Sequence, residues 1–202
     1  MKHSHFYNNL VFFLILITFI ALIFNYEKRG TKTLVYYPTK VVALSPKKAE
    51  EILRSKALLT IKAIKFRHLK LLSTLIHPEK GIRFSPHAYI TNGVVLDRNN
   101  LVSDYEKNIK YNWGISNDMV PINLGFQEYY DNYVYDQDYA NADKISFNEK
   151  VLRKNIIDNA RKIYPNSIMV DFKILEYVNK EMLRLIFEKE IQDWYLVAIV
   201  KL

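Results

Sequence analysis

No cysteine occurs in the chain. Thiol catalysis, cysteine-ligated zinc, structural disulfides and a lipidated N-terminal cysteine are thereby excluded. The redox compartment stays open, because a thiol-free chain is at ease in either. Glycine and proline are scarce, at 5 and 6 residues, which excludes collagen-like, linker-rich and low-complexity architecture. No repeat recurs at solenoid periods. There is no Gly-rich phosphate loop, no G-x-S-x-G elbow and no H-E-x-x-H among the five histidines, His3, His5, His68, His77 and His87. His68 stands beside Arg67 and Lys70 and reads as part of a wet helical face.

What is present is hydrocarbon, aromatic rings and unevenly placed charge. Half the residues are hydrophobic, with 15 Tyr and 11 Phe, enough to build a core and to exclude a wholly disordered chain. The net charge is +8. Residues 27–83 hold 14 Lys/Arg against 4 Asp/Glu, and residues 84–149 hold 4 against 10. The basic front reads first as a solvated face, next as a surface drawn to anionic lipid. Nucleic acid is not expected as a partner, since no recognised binding motif accompanies the bases.

"LVFFLILITFIALIF", residues 10–24, carries no charge. With Phe6, Tyr7 and Tyr26 as interfacial aromatics it reaches about 20 residues, the length a bilayer core needs. The run ends in "IFNYEKRG" without the small residues of a cleavage site. The reading is an uncleaved signal anchor over 1–26, with a cleaved signal peptide and a buried core helix as alternatives. Lys28, Arg29 and Lys32 follow the run, and a literal count of bases would keep them in the cytoplasm. The short N-terminal flank argues for the opposite topology, which is the one adopted.

Residues 27–44 read as a tether and 45–202 as one α+β domain. Ser45–Pro46 is a helix start, followed by a helical pair of about thirty residues that ends before Pro78. "GFQEYYDNYVY" and residues 153–164 suggest two more helices. "IMVDFKI" alternates at Ile168, Val170, Phe172 and Ile174. "EMLRLIFEKE" alternates Leu183, Leu185 and Phe187 against Arg184 and Glu188, and "WYLVAIVKL" is apolar on both faces. These patterns predict a C-terminal antiparallel meander.

"HPEKGIRFSPHAYI", then "YNWGI", "PINLGFQEYYDNYVYDQDYANA", "IYPNSIMVDF" and "LRLIFEKEIQDWYLVAIV" stand in this order across residues 49–200. On these motifs the chain resembles a largely uncharacterised family of bacterial extracytoplasmic proteins, many of them lipoproteins. The resemblance implies a nuclear-transport-factor-type cone, with helices packed on a curved antiparallel sheet that can enclose a pocket. This chain departs from the family at three points. It lacks the lipobox cysteine, it has Ile191-Gln192-Asp193 where the family tends to have an Asn-Gly turn, and it lacks a closing His-Asp-x-Trp segment.

The stretch "HPEKGIRFSPHAYI" reads first as a helix-to-strand corner, with Pro78 ending the helix and Gly81 permitting the turn. Its functional reading is a pocket edged by His77, Arg83, Tyr89, Trp113 and Tyr130, suited to a small apolar ligand with a polar or anionic tip. Asp136, Asp138 and Asn141 lack the glycine and glutamate of a calcium loop. No catalytic residue, metal ligand or cofactor is assigned. The expectation is a membrane-anchored, extracytoplasmic binding or assembly module, held in the cytoplasmic membrane of a bacterium by one span and taking a small apolar ligand or an envelope protein partner. The alternatives are a scaffold subunit of an envelope complex and a small cone-fold enzyme using a pocket acid or histidine.

Overall fold

The computed structural model describes residues 46–116, 118–150, 157–175 and 182–202. The chain divides into two units, Met1–Ala43 and Leu44–Leu202, and every described residue belongs to the second. Helix α1, Pro46–Lys65, starts on a proline, whose fixed φ suits a first helical position. It ends with Lys62 and Lys65 at the negative end of its dipole. Leu53, Ala57, Ile61 and Ile64 recur at helical spacing and are buried.

The expected membrane anchor needs correction. Among the described residues no helix is long and apolar enough to cross a membrane. The longest, α1, carries Lys47, Lys48, Glu50, Glu51, Arg54 and Lys56 in its first eleven residues, a charge density that hydrocarbon does not accept. The run at 10–24 lies outside the described residues. The bilayer as partner, the single-pass extracytoplasmic localisation and the role of a membrane-anchored module rested on that anchor and are corrected with it: none has support among the described residues.

A tight turn leads from α1 into α2, Leu69–Leu75, whose Leu69, Leu72 and Leu75 are buried. Ile76 then turns extended, and the His77 amide donates to the Leu196 carbonyl at 3.0 Å. At Gly81 φ is +63°, and a Cβ there would run into the Leu96 carbonyl oxygen, so only glycine fits. Strand β1, Ile82–Ser85, follows at once.

The main sheet has six strands in the order β2-β1-β8-β7-β6-β5. Its further members are β2 (Val94–Leu96), β5 (Lys144–Phe147), β6 (Ser167–Lys173), β7 (Met182–Glu190) and β8 (Asp193–Lys201). Neighbours pair antiparallel except β1 and β8, which run parallel with Arg83 opposite Ala198. The curved, cone-like, all-antiparallel sheet is therefore corrected to an open mixed one, with β2 and β5 as edges. The cause lies in the entry of β1. The chain leaves the helical pair alongside Leu196 in the parallel sense, through an Ile76–Leu196 bridge.

A turn of Ile191 and Gln192 joins β7 to β8, and of the two only Ile191 has positive φ, at 54°. The register shifts by one residue between the pairs Ile186–Ala198 and Phe187–Leu196. Val197 is thus a bulge, and Val197 and Ala198 both face the back of the sheet.

The front of the sheet presents Phe84, Val170, Phe172, Leu185, Phe187 and Leu196 to α1, α2 and a cluster of rings. Helix α3, Leu101–Glu106, adds to that layer. A separate two-stranded arm, β3 (Lys110–Ile115) and β4 (Pro121–Gly125), inserts Trp113. Helix α4, Phe126–Tyr129, then widens into a π-turn over Tyr130–Val134, so the single helix expected there is two geometries in series. The back of the sheet holds a smaller cluster, Met169, Ile186, Val197, Ala198 and Val200 with Ile90, Ala160 and Tyr164. Ala160 belongs to the short helix α5, Ala160–Ile163. Of the helix expected over 153–164, residues 153–156 lie outside the described residues.

Candidate functional site

The turn between α1 and α2 borders an open concavity. The Arg67 amide donates to the Ile64 carbonyl at 3.0 Å and the His68 amide to the Ala63 carbonyl at 2.9 Å. That pair of bonds is a Schellman cap, whose left-handed residue is usually glycine. Here it is Arg67, at φ 52°. A side chain in that conformation costs about 1 kcal/mol or more, so the turn alone does not explain an arginine.

The arginine is held outward by two contacts. Its guanidinium pairs with Asp131 and stands 6.0 Å from the Tyr130 ring centroid. Both residues lie in the π-turn, a distortion that gathers at functional sites. The Tyr130 hydroxyl donates to the Ile64 carbonyl at 2.7 Å, in the last turn of α1. The π-turn thereby fixes both the strained cap and the base it carries.

Between this turn and α3 lies an open groove of about 650 Å³, within the range of small-molecule sites. Leu69, Lys70 and Leu71 form one wall, and Val102, Tyr105 and Glu106 the other. The Tyr105 ring stands edge-to-face on Tyr130 and Phe126, with centroids 5.4 and 5.5 Å apart. Burial raises the pKa of its hydroxyl, against the pull of Arg67 and with the help of Asp131. Tyr105 therefore keeps its proton at neutral pH. Among the described residues that hydroxyl has no hydrogen-bond partner.

The five residues named from the sequence are dispersed. Trp113 is buried, donates from Nε1 to the Leu124 carbonyl at 3.0 Å and stacks on Tyr129 at 3.9 Å. Tyr130 shares that aromatic cluster. Arg83 lies on the back face, where its Nη1 donates to the carbonyls of Ile90, Thr91 and Gly93 at 3.2, 3.2 and 2.9 Å. Tyr89 is exposed. His77 is buried, and its Nδ1 accepts the amides of Glu79 and Lys80 at 3.2 and 3.1 Å. The proton is therefore on Nε2, 3.4 Å from Glu190. The structure brings Trp113 and Tyr130 together and keeps the other three apart. Only Tyr130 touches the groove, through Arg67.

Sequence reasoning missed Arg67, Lys70 and Tyr105. The first two were legible only as bases on a wet face, and nothing in the residue order reveals a left-handed arginine.

A second polar cluster is buried on the back face. Arg184 Nε and Nη2 donate to the two oxygens of Asp171 at 2.6 and 2.9 Å, and Nη1 donates to Asp158 at 2.6 Å. Its remaining reach goes to the Glu149 carbonyl at 2.8 Å. Burial disfavours the charge on Arg184, but Asp171 and Asp158 outweigh it and raise its pKa. Each guanidinium nitrogen has an acceptor, so the cluster ties Asp158 and the Glu149 carbonyl to the sheet. Among the described residues no group of three or more histidines and acids gathers as a metal site.

No protein-family model matches the chain, and no curated protein matches it. A solved structure described as an NTF-2-like protein of unknown function, from Shewanella oneidensis MR-1, is similar over 76% of this chain and 98% of its own. The identity is 13% and the TM-score 0.35, a likeness too slight to carry weight for fold or function. An extracytoplasmic lipoprotein family does not follow from it.

Proposed function

We propose that the domain takes a small, elongated apolar ligand in the groove between the α1–α2 turn and α3. The observation that carries this reading is the strained Arg67 at the rim of a concavity of about 650 Å³. A turn serving the fold alone is more stable with glycine, and strain held in place by surrounding structure gathers where a protein binds. Leu69, Leu71 and Val102 supply the apolar walls. The role assigned is binding rather than turnover. A general base needs a positioned partner, and neither His68 nor Glu106 in the lining makes a side-chain hydrogen bond among the described residues, while Tyr105 keeps its proton.

The test is Nile red fluorescence with the full-length chain. Leu71 is partly exposed on the wall, so Leu71→Trp fills the groove with little effect on the core. The expected result is enhanced fluorescence with the parent chain and its loss in Leu71→Trp. Equal enhancement in both would remove the groove as the site.

A further inference from the structure

The groove's donors outnumber its acids. Arg67 and Lys70 carry fixed positive charge at the turn, and the Tyr105 hydroxyl faces them with its proton retained. Glu106 is the one acid in the lining, and it is exposed. Arg67 is paired with Asp131, but both side chains are about half exposed, at 53% and 51%. A pair so wetted contributes little, and the Asp131 carboxylate can return to water when a competitor arrives. Lys70 has no ion pair among the described residues.

We propose that the groove selects a carboxylate on the end of an apolar chain, and that this head group takes Arg67 over from Asp131. The inference rests on the groove reading above. In the bound state the guanidinium meets the carboxylate in its planar fork. The Tyr105 hydroxyl donates from the opposite wall, and the Lys70 ammonium adds charge at the mouth. The chain of the ligand covers Leu69, Leu71 and Val102. An incoming anion gains a hydrogen bond from Tyr105 that Asp131 does not make, and it removes apolar surface from water, which Asp131 cannot do. The left-handed backbone at Arg67 places its side chain at the rim of the groove.

Three probes of one length separate the head from the chain. Decanoate, decanol and decyltrimethylammonium are titrated into the full-length chain by calorimetry. Decanoate is expected to bind at least tenfold more tightly than decanol, and the cation more weakly than either. Arg67→Gly, which suits the left-handed turn and so keeps the fold, is expected to erase the preference for decanoate over decanol. Tyr105→Phe keeps the ring and is expected to lower decanoate affinity several-fold. If decanol and decanoate bind alike and Leu71→Trp blocks both, the groove stands and the carboxylate proposal fails. If Leu71→Trp leaves all three unchanged, or none binds, the groove reading fails and this one with it.

Discussion

On the front of the six-stranded sheet, Phe172 and Leu185 meet hydrocarbon and rings; one residue along, on the back, Asp171 and Arg184 meet each other. The same two strands thus bury hydrocarbon on the front, and on the back a charged pair beside a smaller apolar cluster. The front tolerates exchange of shape, because apolar contacts are non-directional. The back does not, because a buried charge is stable only with its partners in place. The contrast teaches that the front acts through apolar area and volume, while the back ties Asp158 and the Glu149 carbonyl to the sheet.

The contrast breaks most visibly in substitutions of large size. Arg184→Met should destabilise by about 3–5 kcal/mol, since it leaves Asp171 buried and unpaired. Adding Asp171→Leu should recover most of that loss, because a buried pair replaced by apolar residues is often neutral. Trp113→Ala on the front should cost a similar amount, roughly 3–5 kcal/mol, with no rescue from a change at Tyr129, since the loss there is volume. Urea denaturation of the four variants measures this. If the double change at 171 and 184 is no better than the single, the back face is not a charge-matched device.

A smaller effect sharpens the comparison at the rim of the front. Arg67→Gly relieves a left-handed side chain, a gain of about 1 kcal/mol, and loses a wetted ion pair of about 0–1 kcal/mol. The variant should therefore be at least as stable as the parent by the same denaturation, in contrast to every change inside either face. A loss of more than about 1 kcal/mol would show Arg67 to be structural.

The smallest effect is a pH dependence. Hydrogen bonds from Lys65 and Tyr135 hold the Asp138 carboxyl at about 2. Its folded value lies below the unfolded one, about 3.9, so its contribution is present above pH 4 and is lost as pH falls towards 2. Asp138 is half exposed, and the contribution should stay below about 1 kcal/mol. Comparing the stability of Asp138→Asn with the parent at pH 5 and at pH 2.5 should show a gap at the first that narrows at the second.

The sequence made parts of this fold legible and hid others for physical reasons. Alternation at Ile168–Ile174 and Leu183–Phe187 is enough to read β6 and β7, because a period of two fits nothing else. The same alternation makes Arg184 look like an outward residue. Its burial depends on Asp171 lying opposite it, a fact of register that spacing does not contain. The parallel pairing of β1 with β8 joins residues far apart in sequence, and no local pattern signals it. The groove stayed hidden because Arg67, His68 and Lys70 are ordinary wet residues in one dimension. The cone came from resemblance alone, and the mixed sheet shows how little a motif order says about which strands pair.

Strand β8 has a consequence for how the protein is made. It lies between β1 and β7, giving Leu196 and Ile199 to one face and Val197, Ala198 and Val200 to the other. Neither core can close until residues 193–201 have left the ribosome. Phe84 is synthesised long before its β8 neighbour Ile199, a delay on the order of ten seconds at common rates of translation. Through that interval β1 and the apolar sides of α1 and α2 have no permanent cover. Yield in a cell should therefore follow the supply of chaperones that shield nascent chains, and a faster C-terminal half of the message should raise it without changing a single contact.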